Sequence, residues 1–154
     1  DGSIPTINMT GTRSPYIADR LGVGSLNPYD RQEAETVAWQ FGVKTEQCDE
    51  GGMNISNISN DDWIEVLGAN FIDGAALFEA RVASKTSGGN IEIRLNGENG
   101  TLAGTCPVPD TGGMQSWETV SCDVKIKKGI HNLVFKFTGE GEELFNFNWW
   151  RFNK

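Results

Sequence analysis

Ile91-Glu92-Ile93-Arg94-Leu95 and Leu133-Val134-Phe135-Lys136-Phe137 carry an apolar side chain at every second position, with Glu92, Arg94 and Lys136 turned the other way. A period of two with one charged face marks a strand in an antiparallel sheet, one side covering a core and the other meeting water. The pattern recurs on both sides of these stretches. Trp63-Ile64-Glu65-Val66-Leu67 sets Ile64 and Val66 against Trp63, Glu65 and Leu67, and Leu77 to Ala83 sets Phe78, Ala80 and Val82 against Leu77, Glu79 and Arg81. Asn96-Gly97, Gly112-Gly113 and Lys128-Gly129 punctuate the runs with turn chemistry at the intervals of a sandwich. Asp30 to Trp39 has no helix cap and no long amphipathic stripe, so it also reads as strand. An all-β sandwich of two antiparallel sheets is the predicted fold.

The chain has 154 residues, which suits one domain and one core. Residues 1–28 contain prolines at 5, 15 and 28 and no sustained periodicity, and read as a linker or interdomain segment; residues 29–154 form the predicted sandwich. With 13 basic against 21 acidic side chains and no Lys/Arg cluster, the chain lacks the basic face that nucleic acid requires. No stretch reaches the roughly 18 to 20 apolar residues of a membrane-spanning helix. The expected setting is extracellular, with any secretion signal upstream of Asp1. Cys106 and Cys122 stand in neighbouring predicted strands, a placement open to a disulfide or to buried thiols, and Cys48 stands apart in a loop.

Catalytic chemistry is not written in this chain. His131 is the one histidine, and Ser25, Ser56 and Ser121 lack a strand-to-helix elbow. Acidic runs such as Glu46 to Glu50, Asp61-Asp62 and Glu140 to Glu143 fall in predicted loops, where solvated charge is the ordinary reading. No phosphate loop, dinucleotide fingerprint or zinc spacing occurs. Five Trp, eight Phe and two Tyr, with Asn and Asp near strand ends, suit a ligand with flat apolar faces and a hydroxyl rim, as a pyranose has.

Taken in order, Gln32-Glu33-Ala34-Glu35, Gly51-Gly52-Met53-Asn54-Ile55, Asn60-Asp61-Asp62-Trp63, Ala80-Arg81-Val82-Ala83-Ser84, Ile91 to Leu95, Gly100 to Thr105, Thr111-Gly112-Gly113-Met114-Gln115-Ser116-Trp117 and Asn146-Phe147-Asn148-Trp149-Trp150 resemble the family 6 carbohydrate-binding modules. The match runs from about residue 29 to residue 153. Asp1-Gly2-Ser3-Ile4-Pro5-Thr6 and Leu26-Asn27-Pro28-Tyr29 look like the junction behind family 43 glycoside hydrolases, the xylosidases and arabinofuranosidases. The resemblance implies a five-plus-four-stranded jelly roll, a structural calcium and a non-enzymatic role beside an upstream hydrolase domain in the same polypeptide. The expected partners are xylan, arabinoxylan or β-glucan, weakly bound.

Two sugar sites are implied. In the loop cleft Asn146 matches the family asparagine that hydrogen-bonds ring hydroxyls, and Glu46 matches a carboxylate at the cleft edge. The family's two flanking aromatics are replaced, the Tyr by Asn57 and the Trp by Met114. Each lost platform removes about 1 to 1.5 kcal/mol of apolar burial, so the cleft should bind roughly 30- to 150-fold more weakly. The second site lies on a sheet face around Trp63, with Glu65, Glu79, Arg81, Glu92, Arg94 and Lys136 as expected neighbours by alternation. The alternative there is a solvated face laced with cross-strand ion pairs. Calcium ligands are implied at Glu33, Glu35 and Asn148, with backbone carbonyls; Asn148 stands where the family has Asp and so brings one charge fewer. Against the binding role stands a second expectation, that the sandwich packs on and stabilises the hydrolase domain without binding sugar.

Overall fold

The computed structural model describes residues 26–154, and every regular element among them is a strand. In chain order these are β1 (Gln32–Glu33), β2 (Trp39–Phe41), β3 (Lys44–Gln47), β4 (Met53–Ser56), β5 (Trp63–Phe71) and β6 (Ala75–Ser84), followed by β7 (Gly89–Leu95), β8 (Thr101–Val108), β9 (Gly113–Ile126), β10 (Gly129–Thr138) and β11 (Asn146–Asn153). One sheet has the order β3-β4-β11-β6-β9, with β1 added on β11, and the other runs β2-β5-β10-β7-β8. All strand pairs are antiparallel. The fold is the predicted jelly-roll sandwich, with six and five strands where the resemblance implied five and four.

The alternation read from the sequence faces the way it predicts. Ile64, Val66, Phe78, Ala80, Val82, Ile91, Ile93, Leu133, Phe135 and Phe137 are all buried between the sheets. Aromatic rings fill the centre: Phe135 lies 5.4 Å from Phe78, 5.9 Å from Phe147 and 5.1 Å from Trp150, ring centroid to ring centroid. These tilted and edge-on pairs add to simple area burial because each ring edge meets a neighbour's face.

Two expectations are corrected. Asp30 to Trp39 is not one strand: β1 takes only Gln32 and Glu33, a turn closes with the Thr36 N–H on Glu33 O at 3.0 Å, and pairing resumes at Trp39. The polar, β-poor centre of that stretch turns the chain from one sheet to the other. Glu79 and Arg81 are not neighbours of Trp63 either. They lie on β6, in the six-stranded sheet, whereas Trp63 lies on β5 in the five-stranded one. Alternation reports which face a side chain takes within its own sheet, and not which sheet the strand joins.

Of the expected linker, residues 1–25 lie outside the described residues. Leu26 forms a parallel bridge to Ala69 and accepts the Asn70 N–H at 3.0 Å, and Pro28 O accepts the Phe152 N–H at 2.8 Å. The chain thus comes onto the sandwich at the β5–β6 end.

The edge strands β8 and β9 bring the two sheets together. A Cβ on Gly104 of β8 would fall 2.5 Å from Asp123 O and 2.8 Å from a Val124 methyl on β9. Gly104→Ala should therefore force this seam apart and lower unfolding stability by about 1 to 3 kcal/mol, measured as an unchanged urea m value with a reduced midpoint.

Candidate functional site

A cleft of about 350 Å³ opens at one end of the six-stranded sheet. Lys44, Thr45 and Glu46 of β3, Ser56 and Asn57 at the end of β4, Met114 of β9, and Glu143 and Asn146 near the start of β11 form its walls. The structure thus gathers four expected residues, Glu46, Asn57, Met114 and Asn146, from positions up to 100 apart in the chain.

Its inner part is a fixed amide network. Asn146, almost fully buried, donates from Nδ2 to Met114 O at 2.7 Å and to Glu46 Oε2 at 3.0 Å. Both of its N–H groups are thereby used, which fixes the orientation of the amide. Asn146 Oδ1 receives no donor from the protein. Glu46 Oε2 also accepts Gln115 Nε2 at 2.9 Å and Asn54 Nδ2 at 3.5 Å. Gln115 Oε1 in turn accepts the Asp49 N–H at 2.8 Å and Trp117 Nε1 at 3.1 Å. Sequence reasoning missed Gln115 and Asn54 as supports of the cleft. Gln115 reaches Asn54 and Glu46 across 61 and 69 residues of chain, and only the Gly112-Gly113-Met114-Gln115 motif hinted at it.

The outer walls differ in kind. Asn57 is exposed, with φ 56 in the left-handed region that asparagine tolerates better than most residues. Met114 is half-buried and offers a thioether in place of a flat ring.

On the five-stranded sheet, Trp63 is half-buried and lies beside Phe41, with ring centroids 6.3 Å apart and planes 15° from parallel. Phe41 is 57% exposed. Register places Phe41 opposite Trp63, Trp39 opposite Glu65, and Lys136 opposite both Trp63 and Glu92, so these residues share the outer face. Arg94 is engaged by Glu92 at 3.0 Å and by Gly100 O at 2.9 Å. The surface is therefore a two-ring platform bordered by charge. Sequence reasoning singled out Trp63 but gave it no Phe41 neighbour, because β2 is three residues long and shows no period of its own.

The three expected cation ligands lie where β1 meets β11. Ala34 N donates to Asn148 O at 2.9 Å, which seats Glu33 and Glu35 beside Asn148. Asn148, fully buried, gives Nδ2 to Glu50 Oε1 at 3.1 Å, and its Oδ1 takes no donor; neither does the buried Glu35 Oε1. Burial, and next to it the charge of Glu33, push the Glu35 carboxyl above its ordinary pKa although backbone N–H groups of Glu35 and Met53 oppose the shift. Glu33 instead pairs with Arg31 at 3.0 Å. Glu50 is held below the usual carboxylate range, chiefly by its hydrogen bonds to Arg81 at 2.7 and 3.2 Å. Among the described residues no three His, Cys, Asp or Glu side chains converge as a metal cluster. Two buried acceptor oxygens without donors, Glu35 Oε1 and Asn148 Oδ1, nevertheless suit a hard cation that also takes backbone oxygens.

A family model described as carbohydrate binding module (family 6) matches residues 33–154. The chain belongs to this family. The module is 44% identical, over 99% of its length, to an arabinoxylan arabinofuranohydrolase of Paenibacillus polymyxa, of which it spans 24%. It superposes at a TM-score of 0.81 on a family 6 module from Clostridium cellulolyticum solved in complex with xylose, at 45% identity, covering 83% of this chain and 99% of that one. A third match is the family 43 arabinoxylan arabinofuranohydrolase of Bacillus subtilis, solved in complex with cellotetraose, with a TM-score of 0.78 and 44% identity over 84% of the module and 28% of that enzyme. Modules of this family are non-catalytic, and in these larger glycoside hydrolases the matching part is an accessory domain.

Proposed function

We propose that the module holds a linked family 43 hydrolase on plant cell-wall polysaccharide outside the cell, binding xylan, arabinoxylan or β-glucan weakly. The observation that carries this reading is the contrast between the two surfaces: the loop cleft keeps its hydrogen-bonding pair Asn146 and Glu46 but has Asn57 and Met114 as walls, while the sheet face presents Trp63 and Phe41. A sugar ring needs a flat apolar partner for most of its affinity, because a hydrogen bond exchanged with water nets only about 0.5 to 1.5 kcal/mol. The sheet face thus carries the greater part of binding, and tethering raises the enzyme's effective concentration at the polymer.

Calorimetry and affinity electrophoresis with xylo-oligosaccharides, arabinoxylan and mixed-linkage glucan test this reading. Trp63→Ala should weaken binding about tenfold, the equivalent of about 1.4 kcal/mol, while Asn146→Ala changes it little. The reverse pattern would return the site to the loop cleft. Calcium belongs to the same reading, held by Glu35 Oε1 and Asn148 Oδ1 with backbone carbonyls, and it supplies charge that secures the β1 segment to β11.

A second reading rests on Ile72 and Ile130, which are 65% and 48% exposed at the end of the sandwich where Leu26 bridges to Ala69. There the module packs on the preceding hydrolase domain and stabilises it. Deleting residues 29–154 from the full-length enzyme should then lower the catalytic domain's Tm; an unchanged Tm rejects this reading.

A further inference from the structure

At the seam between the sheets, β8 and β9 run so close that Gly104 leaves no room for a Cβ against Asp123. Two residues further along β8, and one residue back along β9, stand Cys106 and Cys122. Register gives each of them a strand partner on its other side, Ile91 for Cys106 and Phe78 for Cys122, so the two cysteines lie on different sheets. Their thiols lie close enough across the seam to perturb each other's ionisation. Cys106 is fully buried and packs in the core, while Cys122 is half-buried at its margin.

We propose that Cys106 and Cys122 form a covalent cross-link site, closed by exchange with a low-molecular-weight disulfide, that staples the edge of one sheet to the edge of the other. The partly exposed Cys122 reacts first. Its thiolate attacks one sulfur of the small disulfide, the S–S bond of that disulfide breaks, and the first small thiolate leaves with the proton Cys122 gave up. Cys106 Sγ then attacks Cys122 Sγ in the mixed disulfide, forming the protein S–S bond and expelling the second small thiolate, which takes the Cys106 proton. One small disulfide is reduced to two small thiols while two protein thiols are oxidised to one disulfide. The order follows from access, since Cys106 cannot meet a reagent in solution. The neighbouring Cys106 thiol also favours the Cys122 thiolate, whereas the same contact, and after it burial, push the Cys106 thiol up.

The bond would enclose residues 107–121, a span that includes Gly112-Gly113-Met114 and hence one wall of the loop cleft. Constraining a loop of that length in the unfolded chain should raise Tm by about 10 °C. Cys48, buried next to the β3–β4 turn, has no part in it.

The test equilibrates the purified chain with oxidised glutathione, then counts thiols in denaturant, maps disulfide peptides by mass spectrometry and records Tm. Free thiols should fall from three to one, a peptide pair linking Cys106 to Cys122 should appear, and the Tm gain should vanish on adding dithiothreitol. Cys48→Ser should keep all of this behaviour and Cys122→Ser should lose it. Three thiols surviving equilibration, or a glutathione adduct on Cys122 that never resolves, overturns the proposal, and neither measurement depends on a cysteine variant folding.

Discussion

Asn57→Tyr combined with Met114→Trp should tighten binding of xylo-oligosaccharides at the loop cleft by about 30- to 150-fold. Each ring would cover roughly 50 Å² of sugar face at about 25 cal/mol per Å², and the sum of about 2 to 3 kcal/mol converts to that range. The gain should depend on Asn146 and Glu46, which the wild-type cleft already holds in place through Gln115 and Asn54. Asn146→Ala in the double-variant background should therefore abolish most of it. A cost accompanies the change, because Asn57 sits at φ 56 and a tyrosine there pays about 1 to 3 kcal/mol of backbone strain. Calorimetry and denaturant unfolding on the same protein separate the two effects. An affinity unmoved by both rings would show that the cleft is closed for a reason other than its missing aromatics.

Chelation with EGTA at pH 7 should lower the module's Tm by about 10 °C. A ligand bound only by the native state at a hundred times its Kd contributes about 2.7 kcal/mol, and a domain of this size shifts by roughly 3 to 4 °C per kcal/mol. The effect should depend on acidity in a defined direction. Glu35 is raised by burial, so in the metal-free protein the stability it gives is fully present below its unfolded pKa, near the ordinary glutamate value, and is lost as pH rises through the higher folded value. Above that window a cation, if the proposed site holds one, should take over the role of the proton at Glu35. The Tm difference between calcium and EGTA should consequently be largest at neutral pH and shrink as pH falls toward 4.5. A Tm that ignores EGTA at pH 7 would refute the cation site, and Glu35→Gln should mimic the protonated form by narrowing the gap.

Much of the sandwich was legible because a half-solvated antiparallel strand records its burial in every second residue. Ile91, Ile93, Phe135 and Phe137 face inward as their spacing requires. What the pattern could not carry is partnership between distant strands. Glu79 and Arg81 have the same alternation as Glu92 and Arg94, yet one pair lies on each sheet. Phe41 joins Trp63 only through the pairing of β2 with β5, and a strand of three residues leaves no periodic trace. In the cleft, Asn146 and Glu46 were singled out through family resemblance, and a hydrogen bond across 100 residues brings them to one place. Gln115 was not, since an amide that links Asp49, Trp117, Glu46 and Asn54 looks in sequence like any polar residue in a strand.

The innermost pair of the cleft has a further consequence. With both amide hydrogens of Asn146 committed to Met114 O and Glu46, and its Oδ1 buried without a donor, this side chain is spent on the floor of the cleft and turns no free N–H toward a visitor. Hydrogen bonding at this cleft falls instead to its rim, where the exposed Lys44, Thr45 and Asn57 carry the donors that the floor has already used.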